Sequence, residues 1–203
     1  MRVVLPESTE SATLLIDQPS VLDDDEYYAF CGANPDLRIE RTSRGEIVIM
    51  APVGSESSYR SGEAHGELRA WAKRDGRGKA FDCSIEYFLP TGAALSPDAS
   101  WVSNAKLSTL TKEQLKKFPR LCPEFIIEVM SPSDRLKAAQ RKMSEWLAAG
   151  VELGWLIDGD RETVYIYRAG QPQPEKREGI AAVEGEGSVA GFKLELADIW
   201  EGL

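Results

Sequence analysis

Cysteine and histidine are scarce in this chain, and long apolar runs are missing from it. Its three cysteines, Cys31, Cys83 and Cys122, are scattered along 203 residues. An odd, dispersed set supports neither a disulfide framework nor a zinc knuckle, so buried free thiols are expected. The one histidine, His65, falls in a charged stretch where an exposed position is expected. No apolar run approaches the roughly 20 residues that a membrane span needs. The N-terminus, Arg2 followed by a broken, acid-containing stretch, lacks a signal-peptide core. Those absences predict a cytoplasmic protein with no membrane partner. Basic charge is also short, 24 residues against 33 acidic ones for a net −9. Such a balance opposes general adhesion to nucleic acid, so a nucleic-acid function requires a local basic face.

What is present is enough for one sizeable core, since 42% of the residues are hydrophobic. Asp23 to Asp25 are good helix starters, with Tyr27, Phe30 and Cys31 following at helical spacing before Asn34-Pro35 stops the run. Leu37–Thr42 and Glu46–Met50 predict a hairpin through Ser43-Arg44-Gly45. A helix is expected from about Ser57 to Arg74, with Ala64, Leu68 and Trp71 on one side. Extended segments are expected at Ala80–Leu89, Ala99–Val102 and Phe125–Met130, and a Lys-rich excursion at 106–120 separates the last two. Ser131-Pro132-Ser133-Asp134 opens a helix whose face Leu136, Ala139, Met143, Trp146 and Leu147 runs to Gly150. Strands at Leu153–Ile157 and Thr163–Tyr167 follow. The Pro-, Gly- and Glu-rich stretch 170–187 is expected to be irregular, with Phe192, Leu194 and Leu196 returning as an edge element. This order describes a mixed α/β fold, a mixed sheet flanked by helices with an N-terminal hairpin and helix extension.

Two carboxylates stand out. Glu128 sits inside Phe125-Ile126-Ile127-Glu128-Val129, and Asp98 ends a short stretch after Pro97. A carboxylate within an apolar, β-branched run is costly to bury unless a cation or a hydrogen-bond network compensates it. If the two lie at one height on neighbouring strands, their oxygens can share a cation such as magnesium or manganese. A lysine two residues after the glutamate is frequent in nuclease sites, but that position is Met130 here. Lys142, on the following helix, is the best substitute, and Gln140 is a second polar candidate on the same helix.

Pro97-Asp98, Pro123-Glu124-Phe125-Ile126-Ile127-Glu128-Val129-Met130-Ser131-Pro132-Ser133-Asp134, Lys142, Gly150 and Gly154-Trp155-Leu156-Ile157-Asp158 together resemble the Uma-two family of restriction endonucleases, within the PD-(D/E)XK superfamily. Gly45-Glu46-Ile47-Val48-Ile49-Met50-Ala51-Pro52 is similar to that family's opening hairpin. The resemblance covers about residues 20 to 200. It implies one nuclease-like domain over 1–203: a lead-in helix region at 1–35, the hairpin at 36–53, a catalytic core at 57–167, and the tail at 170–203. It further implies a restriction-endonuclease-like fold, Asp98 and Glu128 as metal ligands, Lys142 as the displaced catalytic lysine, and Glu40 and Glu63 as extra carboxylates. The activity implied is endonucleolytic cleavage of DNA with magnesium or manganese. A homodimer is in keeping with enzymes that cut both strands of a duplex.

Local charge agrees with such a substrate. Residues 60–79 carry six basic side chains against three acids, 106–120 five against one, and 135–142 four against none. These segments predict a phosphate-attracting rim despite the negative total. Each residue also has a plainer reading: Asp98 as a turn terminator, Lys142 as a solvated helix flank, Glu40 and Glu63 as surface charges, and Trp71 and Trp146 as core anchors. The competing function is a catalytically silent nuclease fold serving as a nucleic-acid-binding or dimeric interaction module, which Met130 favours. A hydrolase of another phosphoester is a third.

Overall fold

The computed structural model describes residues 11–14, 22–132 and 134–203. Parts of the lead-in region and Ser133 therefore lie outside the described residues.

Helix α1 (Asp24–Ala33) begins where the acids predict it. Asp23 accepts from the backbone N–H of Glu26, and the Glu26 carboxylate accepts from that of Asp23, both at 2.9 Å, so two orphan donors of the first turn are satisfied reciprocally. Beyond it a small sheet is assembled from β1 (Ser11–Leu14), β2 (Arg38–Arg41), β3 (Ile47–Met50), β5 (Tyr87–Phe88) and β6 (Ala94–Leu95), in the order β1-β3-β2-β6-β5. Gly45, at φ +83°, takes the left-handed position of the β2–β3 turn. The two-residue period of β2 turns Ile39 and Arg41 toward α1, where Ile39 packs with Tyr27 and Phe30 and Arg41 lies over the Tyr27 ring. Arg38 and Glu40 point the other way.

The large sheet runs β11 (Glu175–Glu178), β10 (Thr163–Arg168), β9 (Leu153–Asp158), β8 (Phe125–Val129), β7 (Ala99–Ser103) and β4 (Gly78–Asp82) in spatial order. β8 and β9 are parallel and the remaining pairs antiparallel, so the sheet is mixed. The parallel pair needs a crossover, which α4 (Leu136–Ala149) supplies. Alternation along β8 sorts its side chains. Phe125 and Ile127 join Ala64, Leu68 and Trp71 of α2 (Ser55–Asp75) on one face. Ile126 and Met130 join Met143 and Trp146 of α4 on the other. Glu128, between Ile127 and Val129, therefore faces α4. Gly154 on β9 lets α4 come close: a Cβ there would stand 2.7 Å from Met143 Cε.

The expected hairpin, central strand and crossover helix are all present. The differences have local causes. Ala80–Leu89 is not one strand: Asp82 Oδ1 accepts from Ser84 N at 2.9 Å, and the turn it makes sends β4 to the large sheet and β5 to the small one. The stretch 170–187 is not irregular. It contains β11 and β12 (Ala182–Glu184), the latter paired with β13 (Lys193–Glu195). β11 is an edge strand of charged residues with no apolar alternation, tied to β10 by Arg168–Glu175 at 2.9 Å, with Arg177–Glu175 at 2.6 Å along the strand itself. Short helices α3 (Asn104–Leu107) and α5 (Ala197–Glu201) complete the chain. All three cysteines are free, but Cys83 is exposed and Cys31 half-buried, so the buried-thiol expectation holds for Cys122 alone. His65 is half-buried, with Nε2 enclosed and unpartnered. Among the described residues no helix is long and apolar enough to cross a membrane.

Candidate active site

Four elements bring their charges to one place on the α4 side of the large sheet. Asp98, one residue before β7, uses Oδ2 to accept from the backbone N–H of Val129 at 2.8 Å, closing the end of the β7–β8 ladder and setting the carboxylate beside Glu128. Lys142 and Trp146 are four residues apart on α4 and so share a face. Lys142 Nζ lies 2.9 Å from Glu128 Oε1 and 3.1 Å from Oε2, while Trp146 Nε1 donates to Oε1 at 2.8 Å. Glu40 arrives from β2 of the small sheet, its Oε1 2.9 Å from Lys142 Nζ. Ser96 clamps both: its N–H donates to Glu40 Oε1 at 3.0 Å and its carbonyl accepts from Lys142 at 2.8 Å. The small sheet is fastened to α4 again where Ser43 N donates to Glu145 Oε2 at 3.0 Å.

Burial governs the electrostatics. It pushes the Glu128 carboxyl up to about 7, with the Lys142 ammonium opposing and the Asp98 and Glu40 carboxylates adding to the rise. Asp98 is raised for the same first reason, against the pull of Lys142 and the Val129 N–H. Burial also works against the charge of Lys142, but Glu128, Glu40 and Asp98 together outweigh it and hold the ammonium above the ordinary lysine value. Lys142 is thus a permanent cation in a nest of acids. Three carboxyls outnumber this one ammonium, and once all three have lost their protons the cluster keeps surplus negative charge even when Arg38, 3.9 Å from Asp98, is counted. Hard oxygens with excess negative charge suit magnesium or manganese. Among the described residues no three His, Cys, Asp or Glu side chains converge as a ready metal cage; the Lys142 ammonium is what joins Glu40 to Glu128.

A family model described as "Uma2: Putative restriction endonuclease" matches residues 24–197. The chain belongs to this family. A solved structure described as a "putative nuclease belonging to DUF820", from Anabaena variabilis, superposes with a TM-score of 0.67 at 22% identity, covering 80% of this chain and 89% of that one. This similarity shows that the two share a fold. No curated protein matches the chain.

Of the residues the sequence offered for this Uma2 chain, Asp98, Glu128, Lys142 and Glu40 come together, and Glu40 is buried rather than a surface charge. Glu63 does not join them. It is on α2, across the large sheet, where its charge acts on Tyr59. Gln140 is two residues from Lys142, a spacing that turns it off the shared face, and its side chain makes no hydrogen bond among the described residues. Met130, in the usual lysine position, is core. Glu86 was not legible as a site residue. It is buried, accepts from Tyr27 OH at 2.6 Å, and senses the charges of Glu40 and Lys142; burial pushes it up to about 8. Nothing in Ser84-Ile85-Glu86-Tyr87 marks it as special. The expected basic rim is thinner than counted. Arg60 is buried between Glu56 and Asp160, Arg120 pairs with Asp24, Lys116 with Glu113 and Arg77 with Asp75. Arg135 and Lys137, at the start of α4, are exposed and make no ion pair among the described residues.

Proposed function

We propose that this Uma2 chain is a magnesium- or manganese-dependent endonuclease that hydrolyses phosphodiester bonds in DNA. The observation that carries the reading is Lys142 paired with the buried Glu40 and Glu128, with Asp98 beside Glu128, four charges held in place by Ser96, Val129 and Trp146. Asp98 and Glu128, with Glu40 beside them, are the residues to hold the cation, which when bound supplies Lewis acidity toward a phosphate oxygen and acidifies water. Lys142 adds fixed positive charge against the negative charge that builds on the phosphate, preorganised by contacts to Glu40, Glu128 and the Ser96 carbonyl. Trp146 fixes the Glu128 carboxylate in one orientation. Arg135 and Lys137, exposed on the helix that carries Lys142, support an anionic polymer as substrate.

The decisive experiment is nicking of supercoiled plasmid in manganese, magnesium and chelator by wild type, Glu128→Ala and Lys142→Ala. Metal-dependent cutting abolished by both substitutions is the expected result. A folded wild type that cuts neither single- nor double-stranded DNA overturns the reading. It would favour a catalytically silent module, for which the observation is Lys142 itself: its ammonium already bridges Glu40 and Glu128 at 2.9 Å each, an arrangement that stabilises the acids without a metal.

A further inference from the structure

Arg38 sits at the rim of this cluster with its hydrogen-bonding capacity unspent. It lies two residues before Glu40 on β2, and so on the same face of that strand. Its one ionic contact among the described residues is Nη2 to Asp98 Oδ1, at 3.9 Å. That distance is beyond hydrogen-bond range and far longer than the 2.9 Å pairs made by Lys142. Arg38 Nε is buried and has no acceptor. The side chain as a whole is one-third exposed. A guanidinium offers five donors in a rigid fork, and an enclosed donor without an acceptor is costly to maintain. A structural arginine would close on Asp98 side-on; Arg41, on the same strand, does make short contacts, to Asp24, the Leu22 carbonyl and the Gly92 carbonyl.

We propose that Arg38 is a phosphate ligand, its fork taking the two non-bridging oxygens of the phosphodiester brought to Asp98 and Glu128. This rests on the nuclease reading and extends it to a residue that contacts substrate. Placement supports the assignment. Arg38 reaches the cluster from the small sheet and Lys142 reaches it from α4, so a phosphate at Asp98 would meet cations from two separate elements. Asp98 also explains why the guanidinium stays available: a single long-range carboxylate contact holds it near the site without consuming its donors. Arginine suits this role better than lysine because two parallel N–H groups match two phosphate oxygens.

The test separates binding from turnover. A short labelled duplex is titrated with wild type, Arg38→Gln and Arg38→Lys in calcium, a hard cation for the same oxygens, across a salt series, and plasmid nicking in manganese is measured in parallel. Arg38→Gln is expected to bind about tenfold more weakly at low salt, with the slope of log affinity against log salt shallower by about 0.9. Arg38→Lys keeps that slope and loses nicking rate. Thermal melting of both variants establishes that they are folded, which the single long ionic contact of Arg38 leads us to expect. Arg38→Gln with the affinity and slope of wild type overturns the assignment while leaving the nuclease reading intact, as does weaker binding with an unchanged slope. A wild type that neither binds nor cuts DNA removes both.

Discussion

Trp146 Nε1 donates a 2.8 Å hydrogen bond to Glu128 Oε1, joining the indole of a core helix to the one carboxylate inside an apolar strand. The tryptophan is fully buried and packs at 6.2 Å, edge to face, on Tyr87. It is at once a core anchor and a site residue.

Trp146→Phe retains most of that packing and removes the donor. The buried Glu128 oxygen then loses a neutral partner, and the loss should cost about 1–3 kcal/mol of stability by urea titration. The charged form of Glu128 becomes harder to sustain, so the pH midpoint of its titration, followed by NMR of a side-chain carboxyl label, should move above about 7.

Lys142→Met leaves Glu40 and Glu128 buried without their ammonium. Breaking a buried ion-pair set by removing one partner should destabilise the chain by about 3–5 kcal/mol near neutral pH. As pH falls the carboxyls take up protons and the penalty shrinks, so wild type and variant converge in acid. Adding Glu40→Gln to Lys142→Met should recover part of the loss. Equal stability of Lys142→Met and wild type at neutral pH would show that the ammonium is not what holds these acids.

Much of this arrangement was legible in the sequence, for reasons that also mark what was not. The β8–α4–β9 unit was readable because Phe125 to Met130 is apolar apart from one acid, the α4 face repeats at helical spacing, and Gly150 closes it with φ +110°. Glu128 and Lys142 lie within that unit, and Asp98 was offered by Pro97-Asp98 through its pairing with Glu128. Glu40 was visible only as a lesser candidate, because its strand meets the Ser96 clamp beside β6, a strand of two residues that is too short for a periodic signal. Arg60 looked available for phosphate because its partner Asp160 is a hundred residues away in sequence. The charged strand β11 has no apolar alternation by which to announce itself.

Cation binding should depend on pH through Glu128. Its carboxyl, raised to about 7 by burial, must lose a proton before it can hold a metal, so manganese affinity should climb as pH rises through about 7 and then level off. Calorimetry in buffers of different ionisation enthalpy should show close to one proton released per metal at about pH 6.5 and fewer at about pH 8.5. Proton release that does not change between the two removes Glu128 from the ligand set.

Glu86 makes an independent pH prediction. Its ordinary value is 4.5 and burial raises it to about 8, so the folded chain binds this proton more tightly than the unfolded one. That contribution to stability is fully present below 4.5 and is lost as pH rises through about 8. Glu86→Gln keeps an acceptor for Tyr27 OH and cannot ionise. It should match wild type at about pH 5 and exceed it by about 2–4 kcal/mol at about pH 9 in urea titrations.

Glu40 and Arg38 come from the small sheet, whereas Asp98, Glu128 and Lys142 belong to the large sheet and its helix. The cluster is therefore a seam between two separately hydrogen-bonded layers. Any anion or cation that engages both sides stitches the layers together, so occupancy of the site should be felt far from it, as slower hydrogen exchange along β2 and β3, without any change in the shape of either sheet.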